Sequence, residues 1–275
     1  MSFSLGIIGL GRIAQAIALP LLEKGYFLPE NIFSVVGNNS SAEKILLKFP
    51  KGINVVAAND PVAEKVWDAS IQLLAVKPNQ LNLVRETFEK VEGLVFTEKP
   101  LLISVLAGIT LDRLEHDFPD HACVRAVPNT PSLVGEGLTG LSWGSGVSDS
   151  QKQSVEKIFQ PISQVFHLPE EQMDAFLALT SSGPAYVSLV IEALSDGAVA
   201  VGLPRALAND LAIKTLSGTT TLLKAKELHP AQLKDMVASP GGTTIAALRH
   251  LEMAGLRSAL MEAVVAAAER SREMS

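Results

Sequence analysis

A single cysteine in 275 residues leaves nothing from which an intrachain disulfide framework could be built, and it points to a reducing, cytoplasmic environment. That residue, Cys123, stands in the apolar run Ala122-Cys123-Val124, where packing accounts for a thiol better than reactivity does. Metal-ligand spacing is missing as well: His116, His121, His167, His229 and His250 are not set as zinc sites require. Nor is there an excess of positive charge. The 23 Lys and Arg face 29 Asp and Glu, for a net charge of −6, which gives no reason to expect nucleic acid or an anionic membrane as partner. Apolar runs are interrupted. Glu192 and Asp196 split the stretch 187–203, and Glu262 splits the last one, so no segment is expected to reach the ~18 to 20 apolar residues of a membrane span. The opening Met1-Ser2-Phe3-Ser4-Leu5-Gly6 lacks the basic segment of a secretory signal and leads into a strand pattern.

What is present is a hydrophobic content of 47% beside 19% charged residues, enough for one large core or two moderate ones. Short β-like runs at 5–8, 32–36, 71–76, 101–106 and 123–127 alternate with helix-capable segments at 13–24, 41–49 and 80–88. Near-continuous apolar strands separated by helices predict a parallel sheet covered on both faces: an α/β doubly wound, Rossmann-like domain over residues 1–164. A further strand at 139–143 is expected near the edge. Beyond about 164, alanine and leucine at helical spacing replace the β-branched runs, and an all-α helical domain is predicted over 165–275. Val187, Val190, Ile191 and Leu194 share one helix face, while Ala198, Ala200, Ala206, Ala208 and Ala212 offer more small apolar surface than one bundle core uses. That surplus predicts an oligomer interface.

Two glycine turns carry the chemistry. The first, Gly9-Leu10-Gly11-Arg12-Ile13-Ala14, joins a strand to a helix. Gly9 permits the turn, Gly11 lets the backbone approach a pyrophosphate, and Ala14 keeps the helix close to the sheet; the alternative is a purely structural turn. At the end of the second strand, Gly37-Asn38-Asn39-Ser40-Ser41 has no acidic residue to bind ribose hydroxyls and repel a 2′-phosphate. The cofactor expected is therefore NADP, with NAD as the alternative, unless the segment is only a polar loop with an N-cap serine. Ala75-Val76-Lys77-Pro78 closes another core strand at the edge where open α/β sheets bind ligands, and Lys77 could face ribose or phosphate. The second turn, Ser239-Pro240-Gly241-Gly242-Thr243-Thr244, presents successive N–H groups at a helix start. It is either a nest for a small carboxylate or an ordinary loop and cap.

The ordered set of these motifs resembles the pyrroline-5-carboxylate reductase family along essentially the whole chain. Further pieces of the resemblance are Ala107-Gly108-Ile109-Thr110, Arg125-Ala126-Val127-Pro128-Asn129-Thr130-Pro131, Ser182-Gly183-Pro184-Ala185-Tyr186 and His229-Pro230-Ala231-Gln232-Leu233-Lys234-Asp235. The resemblance implies NAD(P)H-dependent reduction of 1-pyrroline-5-carboxylate to L-proline. It also implies interlocked helical domains in a dimer or higher homo-oligomer, a decamer included, with Ala107 in the cofactor turns. It places the substrate carboxylate on the backbone of Ser239, Gly241, Gly242, Thr243 and Thr244, the Thr244 hydroxyl on the ring nitrogen, and Glu170 close to the ligand. Two positions depart from the pattern. Asn39 stands where the family often has an arginine for the 2′-phosphate, and Asn59, the counterpart of a ribose-facing asparagine, lies about three residues too far from Ala75. Rival readings are a 3-hydroxyacid dehydrogenase, whose helical Gly-x-x-x-Lys pattern is not found, and a non-catalytic NADP sensor.

Overall fold

The computed structural model describes residues 4–91, 94, 96 and 98–274. By backbone contacts the chain forms two compact units, one of Met1–Ser181 with Ala268–Ser275, the other of Ser182–Ala267.

The first unit is built on strands β1 (Leu5–Ile8), β2 (Ile32–Val36), β3 (Asn54–Ala57), β4 (Ile71–Leu74), β5 (Leu101–Ser104), β6 (Ala122–Pro128), β7 (Gly137–Trp143) and β8 (Ser163–His167). They form one sheet in the order 3-2-1-4-5-6-7-8. All neighbours run parallel except β6 and β7. The reversal of strand order between β1 and β4 makes the crevice in which such sheets bind ligands. Helices α1 (Arg12–Glu23), α2 (Asn39–Leu46), α3 (Leu81–Phe88), α4 (Leu111–Asp117), α5 (Asp149–Phe159) and α6 (Met173–Thr180) complete the unit. Strand alternation divides the core in two: Ile7 packs with Ile17, Leu21, Ile32, Val124 and Phe159, while its neighbour Ile8 packs with Trp67, Leu74, Leu102, Leu114 and Cys123. Burial pushes the Cys123 thiol up to about 12, as a packing role requires.

Several elements differ from expectation. The strands begun at 71 and 101 end at Leu74 and Ser104, and the residues that follow turn out over the sheet's C-terminal edge. β3 has only four residues, one of them exposed, too short for a pattern to reveal. β7 lies near the edge as expected, with the unexpected β8 outside it. The expected change of texture at 164 falls inside β8, and the helical segment α6 belongs to the first unit. Its residues are held there by Phe176 against Phe166, with ring centroids 6.0 Å apart, and by Asp174 on Arg125 at 2.9 Å. Helical composition reports local conformation, whereas unit membership follows packing.

The second unit is helical: α7 (Gly183–Ala200), α8 (Arg205–Ala225), α9 (Pro230–Val237), α10 (Thr243–Met253) and most of α11 (Leu256–Glu273). α7 and α8 form a hairpin in which Ser195 hydrogen-bonds Asn209, and Arg205 reaches Asp196 at 2.5 Å. Ala208 and Ala212 are buried in this unit. They therefore belong to its own packing and not to the surplus expected of them: small side chains let the two helices approach closely. Ala200 and Ala206 are exposed and Ala198 is half-buried, as expected of them, and larger residues, including Leu189, Leu194, Ile213, Met253 and Met261, are exposed as well. The stretch Glu170–Ala200 is long and apolar enough, by length and composition alone, to cross a membrane, contrary to the sequence expectation. It is divided here into the turn Glu170–Gln172, α6 and α7.

Candidate active site

The first glycine turn is shaped by the strand beside it. Gly9 has φ +90°, and a Cβ there would lie 2.8 Å from the Ala75 carbonyl oxygen. Its N–H donates to the Val35 carbonyl at 2.9 Å, and the Ala75 N–H donates to Ile8 at 2.8 Å. Gly11 is the N-cap of α1; no side chain caps the helix, and no acidic residue occupies its first turn. A Cβ on Gly11 would meet nothing within 4 Å. Open space over an uncapped helix N-terminus fits the pyrophosphate of a dinucleotide. Ala14, fully buried, seats α1 on the sheet.

A cleft of about 920 Å³ opens from this turn. Of the sequence-derived candidates, Gly9, Leu10, Gly11, Asn38, Ala75, Val76 and Lys77 line it; Arg12, Ile13, Asn39, Ser40, Pro78 and Ala107 do not. Arg12 is exposed at the start of α1, Ile13 packs against the core, and Ala107 is exposed beyond β5. Asn38 accepts the Ser41 N–H at 2.9 Å and so caps α2 itself, which leaves Asn39 and Ser40 exposed in the first turn. The cleft also takes in Asn59, Asp60, Glu64 and Leu83. Asn59 reaches it despite its spacing because the 3-10 turn Ala63–Asp68 lies between β3 and β4. Those intervening residues lengthen the sequence without moving Asn59 from the sheet edge.

The second glycine turn has its own steric logic. Gly241 has φ +66°, and a Cβ on Gly242 would come 2.5 Å from the Ser239 hydroxyl. The Gly242 N–H donates to the Ser239 carbonyl at 3.0 Å, closing the turn. Gly242 is the N-cap of α10, again without a capping side chain or an acidic first turn. Thr243 is exposed and Thr244 half-buried. Upstream, His229 caps α9: its Nδ1 accepts the Ala231 N–H at 3.2 Å, and its own N–H donates to Gln232 at 2.9 Å. Sequence reading passed over Glu227. Among the described residues it is the one non-glycine with positive φ, at 50°. It sits just past α8, where the Leu228 N–H returns to Leu223 at 3.1 Å and its own to Lys224 at 3.4 Å, the closing pattern that glycine usually serves.

Glu170 lies in the first unit, bound to a buried arginine. Arg125, 1% exposed on β6, donates to Glu170 Oε1 at 2.7 Å and to Asp174 at 2.9 Å. The same Glu170 oxygen accepts the Leu111 N–H at 3.1 Å, and Ser271 donates to Asp174 at 2.8 Å. A buried guanidinium needs such company, since without carboxylate partners its charge would be stranded.

Comparison with known proteins settles the family. Residues 170–274 match the family described as pyrroline-5-carboxylate reductase dimerisation, and residues 4–108 match NADP oxidoreductase, coenzyme F420-dependent. A pyrroline-5-carboxylate reductase of Synechocystis is 44% identical over 274 residues, covering 100% of this chain and 99% of the relative. The chain belongs to the pyrroline-5-carboxylate reductase family. The soybean (Glycine max) reductase is 39% identical over 100% of this chain and 97% of its own. Among solved structures, the reductase of Streptococcus pyogenes superposes with a TM-score of 0.86 at 28% identity, covering 98% of both chains. That of Plasmodium falciparum, solved with NADP bound, gives 0.83 at 30% identity over 99% of this chain and 98% of its own. This reductase thus pairs a Rossmann-like sheet with the helical dimerisation region of its family.

Proposed function

We propose that this reductase converts 1-pyrroline-5-carboxylate to L-proline with NADPH, or alternatively NADH, as reductant. The observation that carries the reading is the full-length family match together with two uncapped helix N-termini, at Gly11 and Gly242, each free of acidic residues. The dinucleotide, when bound, supplies a hydride to the carbon of the C=N bond. The protein's own part is positioning and charge. Gly9 to Gly11 hold the pyrophosphate, Asn38 and Lys77 flank the adenosine ribose, and Ala75 and Val76 wall the cleft. In the second unit the N–H groups of the Ser239–Thr244 turn hold the substrate carboxylate. The Thr244 hydroxyl donates to the ring nitrogen, keeping positive character there as the amine forms. Glu170, held by Arg125, lies close to the bound ligand.

Assembly belongs to the same reading: the helical region 165–275 pairs with a second copy in a homodimer, and dimers associate further, up to a decamer. We place the enzyme in the cytoplasm, free of nucleic acid and membrane, with its single buried cysteine fitting a reducing compartment. Purified protein should oxidise NADPH in the presence of pyrroline-5-carboxylate and, at high pH, reduce NADP+ with proline. A protein that binds the dinucleotide yet does neither is a sensor, and the reading fails.

A further inference from the structure

The dinucleotide cleft holds a carboxylate that its second strand does not supply. Strand β3 runs parallel to β2 with Val36 opposite Ala57, and the Ala58 N–H donates to the Val36 carbonyl at 2.7 Å. The loop leaving β3 therefore emerges beside the loop leaving β2. In Rossmann-like sheets the 2′ position of the adenosine ribose is read at the end of the second strand, where this chain has amides and hydroxyls only. Asp60, from the neighbouring loop, lines the same cleft as Asn38 and Ser41, as does Glu64; Lys77 is the one cation among the described lining residues. Asp60 is half-buried. Its Oδ1 accepts the Val62 N–H at 3.0 Å and its carbonyl the Ala63 N–H at 3.0 Å, so the carboxylate is held at the rim instead of swinging into solvent.

We propose that Asp60 is a specificity residue for the dinucleotide: its charge opposes a 2′-phosphate and keeps the affinities for phosphorylated and unphosphorylated cofactor close together. The inference rests on the dinucleotide reading of the cleft. A 2′-phosphate brings further negative charge beside a fixed carboxylate in a partly desolvated site, and repulsion there is stronger than in open water. An unphosphorylated ribose brings a hydroxyl, for which a carboxylate is a good acceptor.

Asp60→Asn separates charge from structure, because an amide oxygen still accepts the Val62 N–H and the turn survives. Calorimetric titration of the full-length protein with ADP-ribose and with 2′-phospho-ADP-ribose reads binding without turnover. In the variant the Kd for the phosphorylated ligand should fall roughly three- to tenfold, while that for ADP-ribose stays within about twofold or weakens. The gain should shrink as salt rises from about 0.05 to about 0.5 M, since screening removes electrostatic differences. An equal change for both ligands, no change, or a gain that salt leaves untouched overturns the role of Asp60. Failure of the unmodified protein to bind ADP-ribose at all overturns instead the dinucleotide reading beneath it.

Discussion

Thr244 contributes one hydroxyl to the first turn of α10, and its removal tests the proposed chemistry most directly. Thr244→Ala should lower kcat/KM for pyrroline-5-carboxylate by an amount equivalent to roughly 2–4 kcal/mol, the usual worth of one positioned donor in a transition state. NADPH binding, measured by fluorescence titration, should stay nearly unchanged; an unaltered kcat/KM removes Thr244 from the mechanism. Asn39 is exposed at the start of α2, so Asn39→Arg meets no steric obstacle and should lower KM for NADPH more than for NADH. Equal effects would show that this position does not face the 2′ group. A different residue is expected to contribute to acid sensitivity. Burial among aromatic rings pushes His121 from 6.5 down to about 4, and its Nε2 meets Gln72 at 3.0 Å. The folded protein keeps the ring neutral, whereas the unfolded chain protonates it near the ordinary value. Stability is thus complete above the unfolded value and is lost as pH falls toward the folded one, by up to roughly 3 kcal/mol. His121→Leu should flatten the fall of Tm with acid across that window, even if it lowers Tm throughout; an unchanged slope would place the acid sensitivity elsewhere. Residue types at both turns were legible in the sequence because backbone conformation demands them locally. Arg125 and its two carboxylates were not, since their pairing joins β6 to a segment some 45 positions away in sequence.

The strand–turn–helix unit of β1 and α1 separates two uses of glycine. Gly9 carries φ +90° and faces backbone at 2.8 Å, whereas a Cβ on Gly11 faces open space. Gly9→Ala should therefore lower Tm and cofactor affinity together, because neither the dihedral nor the Ala75 carbonyl can yield cheaply. Gly11→Ala should leave Tm nearly unchanged while weakening dinucleotide binding. Thermal melts alongside cofactor titration distinguish the two, and equal loss of Tm in both variants would contradict this division. Among whole elements, the central strands were readable as apolar runs and the helices between them by spacing. β3 and β8 escaped: one has four residues, and the other shows only one fully buried position. Short or edge strands draw their stability from a neighbour's hydrogen bonds, which leave little trace in composition.

The second unit exposes many large apolar side chains, Leu189, Ile213 and Met261 among them, and it lies within the region matched to family dimerisation. Covering such a face contributes roughly 25 cal/mol per Å². Leu189, on α7, is 66% exposed, so Leu189→Arg should leave the protomer folded yet shift light scattering toward monomer and abolish activity. A fully active monomer at assay concentration would show that catalysis does not depend on assembly. An alanine such as Ala208, 1% exposed, would be the wrong probe, because arginine there would first break its own unit.

Periodicity, turn chemistry and the order of motifs sufficed to place a Rossmann-like sheet ahead of a helical half, and to locate both glycine turns within them. These features depend on neighbours along the chain, and their physics is complete within a few residues. The cleft's far wall at Asn59 and Asp60, the burial of Arg125 beneath Glu170 and Asp174, and the burial of Ala208 and Ala212 while Ala200 and Ala206 stay exposed depend on which segments meet in space. Parallel pairing brings β3 beside β2, and α6 folds back onto the sheet although its composition matches the helices that follow. Contacts of that kind are set by long-range burial and hydrogen bonding, which local sequence does not record.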